Sequence, residues 1–286
     1  MPSPDHDPPA TPAFGLIIIG DEILSGKRAD KHLPAVIERL RARGLDLSYA
    51  HYVGDAPARI RATLQQAFRS GDIVFSCGGI GATPDDHTRQ CAAAALEVPL
   101  VLHPEARALI LERMRDVALE QGQPFEPERP DNLHRLNMGV FPQGAAIIPN
   151  PYNKIPGFSC ASVAGGSLRG PAVHFVPGFP VMAWPMIDWV LDTYCAHLAG
   201  QRQWSERSVI VMGAMEATLT PLMESIEQAF PGIKVFSLPS VDHPQYGRHI
   251  ELGVKGEGER VVEAFEALKS GLRPFGAVLG PELVRS

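Results

Sequence analysis

Short apolar runs alternate with amphipathic segments along the first part of the chain. Residues 14–19 form an apolar run between Pro12 and Gly20, which predicts a strand buried on both faces. Apolar residues then recur at helical spacing between Asp30, a candidate N-cap, and Gly44, a candidate stop. The pattern repeats as a strand over 45–53, a helix over 57–70 and a strand over 72–77. This alternation predicts an α/β domain whose parallel sheet is covered by helices.

The last third of the chain has a different order of elements. Residues 181–198 read as a helix packed on the sheet, and a linker follows over 200–204. The elements then predicted are a strand at 208–212, a helix at 220–230, strands at 233–237 and 249–255, and a helix at 259–272. We therefore expect a large domain over 14–199 and a small α+β domain over 205–280. The proline-rich residues 1–13 are expected to form a disordered tail, and His243 and His249 are expected at the surface.

Composition narrows the class of protein. The chain has 26 basic and 32 acidic residues without a basic cluster, so a nucleic-acid partner is not expected. No apolar stretch approaches the ~20 residues of a membrane helix, and the start lacks a signal peptide. The cysteines are far apart in sequence, which favours reduced, buried thiols and a cytoplasmic protein; they are Cys77, Cys91, Cys160 and Cys195.

The loop after the strand at 72–77 is the most informative segment. Gly78, Gly79 and Gly81 leave backbone N–H groups uncovered where a helix is expected to begin, which is typical of an anion cradle. Thr83 and Asp86 fit the N-cap and N3 positions of that helix, in a capping-box pattern. Residue chemistry alone therefore leaves two roles open for Asp86, ligand binding and simple capping.

A phosphate bound at this loop would face two carboxylates, Asp85 and Asp86. Like charges 4 Å apart repel by about 4 kcal/mol at an effective dielectric constant of 20. Either no phosphate binds, or a cation bridges the phosphate and the carboxylates. Mg²⁺ held by one or two carboxylates and by phosphate oxygens is the common arrangement. The loop after the first strand is also acidic, with Asp21, Glu22, Gly26 and Asp30, but it misses the spacing of a nucleotide P-loop.

Several short motifs together resemble a known family. They are Gly20-Asp21-Glu22-Ile23-Leu24-x-Gly26, Val53-Gly54-Asp55, Gly78-Gly79-Ile80-Gly81-Ala82-Thr83-Pro84-Asp85-Asp86-x-Thr88, Asn150-Pro151, Pro156-Gly157-Phe158 and Pro177-Gly178-Phe179-Pro180. In order and spacing they resemble the molybdopterin-binding (MoaB/Mog-like) domain at the N-terminus of competence/damage-inducible protein A, over roughly residues 16–186.

The resemblance implies a three-layer α/β/α fold with a mostly parallel sheet. It implies a pterin or nucleotide phosphate at the glycine loop, metal-assisted chemistry at Asp86 with Asp85, and a homo-oligomer, since dimers or trimers are usual among relatives. The other candidate contacts are Thr83, Thr88, Asp21, Glu22, Gly26, Asp30, Pro177, Gly178 and Pro180. The chain departs from the family at Ala82, where proline is usual, and at His32, where asparagine is common. Residues 180–183 lack a usual glutamate, and residues 135–138 lack a usual asparagine and glutamine pair.

Three functions are compatible with this site. The first is Mg²⁺-dependent hydrolysis of a pyrophosphate bond, of the ADP-ribose pyrophosphatase type, with Asp85 and Asp86 holding the metal and Asp21, Glu22 and Asp30 lining the opposite side. The second is adenylyl transfer to molybdopterin, and the third is a binding or scaffold module without chemistry. The chain ends at Ser286, so the deamidase domain of longer relatives, and nicotinamide mononucleotide deamidation, are not expected.

Overall fold

The computed structural model describes residues 12–163, 165–200 and 204–285, apart from the side chains of Trp204 and Glu257. The chain divides into two compact units, one ending at Ala199 and one beginning at Gly200. The tail predicted over residues 1–13 lies outside the described residues, apart from residues 12 and 13.

The first unit is built on a mixed sheet that has six strands within the described residues, in the order β2-β1-β3-β8-β7-β6. These strands are β1 (Phe14–Ile19), β2 (Leu47–Val53), β3 (Ile73–Cys77), β6 (Ala146–Ile148), β7 (Gly157–Ala161) and β8 (Ala172–Val176). A separate antiparallel pair joins β4 (Leu100–Leu102) and β5 (Val140–Pro142). Strands β2, β1, β3 and β8 are parallel and β7 is antiparallel to β8. The carboxyl ends of those four strands and the start of β7 therefore meet at one edge.

Helices cover both faces of this sheet. They are α1 (Asp21–Leu24), α2 (His32–Arg41), α3 (Pro57–Arg69), α4 (Thr88–Leu96), α5 (Pro104–Glu120), α6 (Pro130–Arg135) and α7 (Pro180–Tyr194). Strand β1 explains the layering, because alternate residues of a strand point to opposite faces. Ile17 packs with the core that includes Leu64 of α3, whereas Leu16 packs with the core that includes Val36 of α2 and Val190 of α7. The three-layer α/β/α prediction is confirmed.

The second unit is a small α+β structure. It runs β9 (Trp204–Met212), α8 (Glu216–Ala229), β10 (Lys234–His243), β11 (Gly247–Glu257), α9 (Arg260–Leu272) and β12 (Val278–Arg285). The antiparallel strand order β10-β11-β9-β12 is that of a ferredoxin-like split β-α-β. Val209, Leu252 and Phe265 share one core, so strands and helices pack together. The strand β12 was not predicted, because its apolar residues are interrupted by Gly280 and Pro281.

Two predictions about individual residues have different outcomes. All four cysteines are free and buried, as expected from their spacing. His243 is exposed, but His249 is buried, contrary to the prediction. The His249 ring packs against the rings of His243 and Tyr246, 5.1 and 5.6 Å away, and its Nδ1 lies 2.9 Å from the Gly247 carbonyl oxygen. Among the described residues, the helices are too short or too polar to cross a membrane.

Candidate functional site

A cavity of about 430 Å³ lies where the carboxyl ends of the parallel strands meet. Loops that follow β1, β2, β3 and β8 line it, together with the segment that precedes β7. In open α/β sheets this edge is where ligands bind. The lining residues used below are Glu22, Arg28, Asp55, Gly78, Gly79, Ile80, Gly81, Ala82, Thr83, Asp85, Asp86, Asn150, Asn153, Pro177, Gly178 and Phe179.

The loop after β3 offers a row of free backbone donors to this cavity. The Gly78 amide donates to the Val176 carbonyl oxygen at 3.0 Å, and the Thr83 amide donates to Asp86 Oδ2 at 2.8 Å. Between them, the amides of residues 79–82 have no protein acceptor within the described part of the chain. Consecutive unpaired N–H groups at a glycine turn form an anion-binding concavity. The anion cradle expected from the sequence therefore has donors to offer.

Two side chains on the far side of the loop fix the direction of these donors. Arg89 donates through Nη2 to the Gly81 carbonyl oxygen at 2.7 Å and through Nη1 to the Asn137 carbonyl oxygen. His134 Nε2 lies 3.1 Å from the Ala82 carbonyl oxygen. In a trans peptide the C=O and N–H groups point in opposite directions, so the Ala82 amide is directed away from Arg89.

The helix predicted to begin at Thr83 begins instead at Thr88. Asp86 Oδ2 accepts hydrogen bonds from both the amide and the hydroxyl of Thr83, at 2.8 and 2.6 Å, and closes a local turn. The Thr88 amide and hydroxyl donate to the carbonyl oxygens of Gly79 and Gly78, at 3.0 and 3.1 Å. These bonds hold the loop back against the end of β3, so the chain cannot enter the helix earlier. Thr83 and Asp86 therefore do not cap α4.

The loop geometry requires glycine at its first two positions. Gly78 has φ +108°, and a Cβ atom there would lie 2.3 Å from the Ile19 carbonyl oxygen. Gly79 has φ +69°, and a Cβ atom there would lie 2.2 Å from Thr88 Oγ1. Both backbone conformations are ones that residues with a side chain adopt only with strain. The backbone geometry of the loop is therefore sufficient by itself to require glycine at positions 78 and 79.

The opposite wall of the cavity is acidic. Asp21 and Asp55 form a reciprocal pair of hydrogen bonds. The Asp21 amide donates to Asp55 Oδ2 at 2.9 Å, and the Asp55 amide donates to Asp21 Oδ1 at 3.2 Å. Burial raises the pKa of Asp55, and the charges of Asp21, Glu22 and Asp85 raise it further, against a backbone hydrogen bond that lowers it. Burial and the neighbouring carboxylates therefore both disfavour the ionised form of Asp55.

The carboxylates at this cavity are the residues that would hold a divalent cation, if the ion shared its coordination with a ligand. Within the described residues there is no group of three or more His, Cys, Asp or Glu side chains placed to hold a metal ion. Asp85 and Asp86 nevertheless share the cavity with Glu22 and Asp55, and carboxylate oxygen is the donor that Mg²⁺ prefers. Mg²⁺ often takes only one or two carboxylates and completes its octahedron with phosphate oxygens and water.

The structure brings most of the candidate residues together at this cavity. Those lining it are Glu22, Gly78, Gly79, Gly81, Thr83, Asp85, Asp86, Pro177 and Gly178. Those not among its lining residues are Asp21, Gly26, Asp30, Thr88 and Pro180. The Asp30 carboxylate caps α2 as expected, by accepting from the amides of His32 and Leu33 at 2.7 and 3.1 Å, and it also accepts from the Tyr52 hydroxyl at 2.8 Å. At all of these positions, lining the cavity or not, contact with a ligand stays a prediction.

Other lining residues were not among the sequence candidates. Arg28 places its guanidinium 5.7 Å from the centre of the Phe179 ring, which is 56% exposed. Asn150 donates through Nδ2 to Asn153 Oδ1 at 2.8 Å and to the Ile155 carbonyl oxygen at 2.9 Å, which shapes the segment before β7. Asp55 and Asn150 lie within motifs of the resemblance, so a signal existed. Phe179 also lies within one of these motifs, Pro177-Gly178-Phe179-Pro180, whereas Arg28 carries no pattern that marks it.

Comparisons with known proteins agree with this architecture. A family model described as a probable molybdopterin binding domain matches residues 15–197. A CinA-like protein of Gloeobacter violaceus is 32% identical over 226 residues, which are 78% of this chain and 48% of that protein. A CinA-like protein of Mycobacterium tuberculosis is 28% identical over 229 residues, 78% of this chain and 51% of that protein. The chain thus spans about half the length of these relatives.

A solved structure shares the fold of the first unit. The structure of the protein CinA, of unknown function, from Thermoplasma acidophilum aligns with a TM-score of 0.51 and 26% sequence identity. The alignment covers 64% of this chain and 96% of that chain.

Proposed function

We propose, from the premise that this chain belongs to the family of probable molybdopterin binding domains, that its cavity binds a phosphorylated nucleotide or pterin. We further propose that it hydrolyses a pyrophosphate bond with the help of a divalent cation, as an ADP-ribose pyrophosphatase would. The family supports the proposed ligand class, and the carboxylates and free amides at the cavity support a metal-assisted reaction on a phosphate group.

One observation carries the proposal, the meeting of free amides and carboxylates at the same cavity. The amides of residues 79–82 have no protein acceptor among the described residues, and the lining also includes Glu22, Asp55, Asp85 and Asp86. The amides suit phosphate oxygens, whereas the carboxylates would repel them by about 4 kcal/mol each at 4 Å. A cation between the two removes this conflict.

The residues then divide the work of hydrolysis. The glycine-loop amides bind the phosphoryl oxygens and stabilise the charge that develops on them. Asp85 and Asp86 would hold the cation, which when bound supplies Lewis-acid stabilisation of that charge. Asp55, with its raised pKa, is the carboxylate suited to accept a proton from the attacking water. The water oxygen forms a bond to one phosphorus while the bond from that phosphorus to the bridging oxygen breaks. The bridging oxygen leaves on the other phosphate, so each product carries one phosphate.

The direct test is turnover of ADP-ribose with Mg²⁺, followed by the appearance of AMP and ribose 5-phosphate. The variant Asp86→Asn keeps an oxygen that accepts from Thr83 but removes the charge, so it tests the charge rather than the turn. Asp46→Asn, at an exposed aspartate away from the cavity, is the matched control. Absence of product, or an Asp86→Asn variant as active as the parent, rejects the catalytic assignment.

A second candidate is adenylyl transfer to molybdopterin, favoured by the family's description as a probable molybdopterin binding domain. It is tested in a parallel mixture with molybdopterin and ATP, where pyrophosphate release and an adenylylated pterin are the expected products. If calorimetry shows that a ligand binds but neither mixture yields a product, a non-catalytic binding module is favoured.

We also propose that the protein is a cytoplasmic homo-oligomer. Light scattering would measure the mass of the oligomer in solution.

A further inference from the structure

A second cavity of about 430 Å³ adjoins the glycine loop. It shares Ala82, Thr83 and Asp86 with the first cavity, so the same turn forms a wall of both. The rest of its lining is Pro84, His87, Arg89, Gln90, Leu100, His134, Asn137 and Val140. The function proposed above leaves this space without a role.

The two cavities differ in charge. The first is lined by four carboxylates, Glu22, Asp55, Asp85 and Asp86, and by the cation Arg28 within the described residues. The second includes Arg89 and two imidazoles, His87 and His134, against the single carboxylate of Asp86, again within that part of the chain. An anionic group would need a metal ion in the first cavity, but it meets cationic and hydrogen-bonding side chains directly in the second.

His87 is the side chain in the second cavity that is available to a ligand. Arg89 is committed to the carbonyl oxygens of Gly81 and Asn137. His134 is held between the Ala82 carbonyl oxygen, 3.1 Å from Nε2, and Asn137 Nδ2, 3.4 Å from Nδ1. The imidazole of His87 has no hydrogen-bond partner among the described residues, and the ring is only partly exposed. It is therefore free to donate to a phosphate or sugar oxygen.

The geometry points to a two-part substrate, and this inference rests on the proposed function. We propose that the second cavity binds the sugar-phosphate half of a pyrophosphate-linked nucleotide. The nucleoside half occupies the first cavity, where the exposed Phe179 ring and the Arg28 guanidinium offer a stacking surface for a base. The pyrophosphate then lies at the shared wall, beside Asp86 and the free amides of the glycine loop. A nucleoside monophosphate alone fills only one of the two cavities.

The experiment separates the two halves of the substrate. In the presence of Mg²⁺, AMP and ribose 5-phosphate are titrated singly and together into the parent, His87→Leu, Gln90→Glu and the control His51→Leu. We expect both ligands to bind side by side, each with an affinity that does not fall when the other is saturating. His87→Leu loses a hydrogen bond to a charged group, which weakens ribose 5-phosphate about tenfold or more and leaves AMP unchanged.

Gln90→Glu is the second variant, because it places a negative charge in the same cavity at an exposed helix position where folding is not at risk. It is expected to weaken ribose 5-phosphate and to raise KM for ADP-ribose, as His87→Leu does, whereas His51→Leu matches the parent. Three results would overturn the proposed role of the second cavity: competition between AMP and ribose 5-phosphate, no binding of ribose 5-phosphate, or parental affinities in both variants. None of them would contradict the hydrolysis of ADP-ribose. If fragments bind side by side but ADP-ribose is not cleaved, the two-part site stands and the proposed hydrolysis falls.

Discussion

The guanidinium of Arg89 donates to the carbonyl oxygen of Gly81 at 2.7 Å from a side chain that is only 4% exposed. Burial lowers the pKa of Arg89, and the nearby charge of Asp86 opposes that shift. A buried cation is costly unless its donors are satisfied, and here two of them are satisfied by loop carbonyl oxygens. The conformation of the glycine loop and the burial of Arg89 therefore depend on each other.

We predict that Arg89→Met destabilises the protein by about 1–3 kcal/mol, because the carbonyl oxygens of Gly81 and Asn137 lose their donor in a covered position. Urea denaturation measures this cost. Arg69→Met is the matched control, since Arg69 lies exposed near the end of α3. If Arg69→Met and Arg89→Met have the same midpoint, the loop does not depend on Arg89. Binding of AMP with Mg²⁺ should weaken only in Arg89→Met.

Three strands of the sheet, β1, β2 and β3, and three of its helices, α2, α3 and α7, could be predicted from periodicity, because burial leaves a clear signal in their sequences. Strand β1 was expected at 14–19 and is Phe14–Ile19, and α3 was expected at 57–70 and is Pro57–Arg69. The strands β6, β7 and β8 were not predicted from periodicity. Strand β6 is apolar but spans only three residues, too few to show a period, and the apolar run of β7 is interrupted by Ser159, whose hydroxyl lies 2.8 Å from His174 Nδ1.

The glycines of the candidate site could be predicted from the sequence, but the contacts of its charged residues could not. Gly78 and Gly79 are marked by their residue type, whereas the turn that Asp86 closes with Thr83 resembles a helix cap in sequence. The difference depends on Thr88, whose hydrogen bonds to the loop carbonyl oxygens are tertiary and leave no local pattern. Arg89 was missed for the same reason, since its partner Asn137 is 48 residues away.

We predict that Gly78→Ala destabilises the protein more than Gly144→Ala does. Both glycines have positive φ, +108° and +86°, so both substitutions carry backbone strain of about 1–3 kcal/mol. Only at Gly78 does the new methyl group meet backbone, the Ile19 carbonyl oxygen at 2.3 Å, whereas Gly144 faces open space. Thermal unfolding of the two variants compares the costs directly. An equal loss of stability in the two variants would mean that the loop moves away from β1 at little cost, and would contradict the prediction.

We predict that Asp55→Asn stabilises the metal-free protein at pH 7 and impairs turnover. The raised pKa of Asp55 means that its ionised form is disfavoured in the folded state, mainly by burial and then by neighbouring carboxylates. That penalty is absent when Asp55 is protonated, so the gain should appear near pH 7 and vanish near pH 3. Melting temperatures with a chelator at both pH values measure it. Mg²⁺ should raise the melting temperature of the parent more than that of Asp55→Asn, and a larger rise in the variant would contradict the cation site.

We predict that His174 makes the first unit sensitive to acid. This ring is fully buried, its Nδ1 lies 2.8 Å from Ser159 Oγ, and burial lowers its pKa to about 3. In the unfolded chain the pKa is near 6.5, so between pH 6.5 and pH 3 the unfolded chain binds a proton that the folded protein does not. The stability that the neutral ring maintains is therefore full above pH 6.5 and falls by about 1.4 kcal/mol per pH unit below it.

The double variant Ser159→Ala, His174→Phe removes this titration and keeps an aromatic ring between Phe75 and Tyr194, whose rings lie 5.6 and 5.8 Å from that of His174. Between pH 7 and pH 5 the parent should lose about 2 kcal/mol more unfolding free energy than the double variant. Urea denaturation at the two pH values, followed by tryptophan fluorescence, gives this difference. Ser159→Ala alone should keep the parental pH dependence, because the hydrogen bond is lost but the ring still titrates. Equal losses in parent and double variant would show that acid reaches His174 without unfolding, and that the buried ring does not couple protonation to stability.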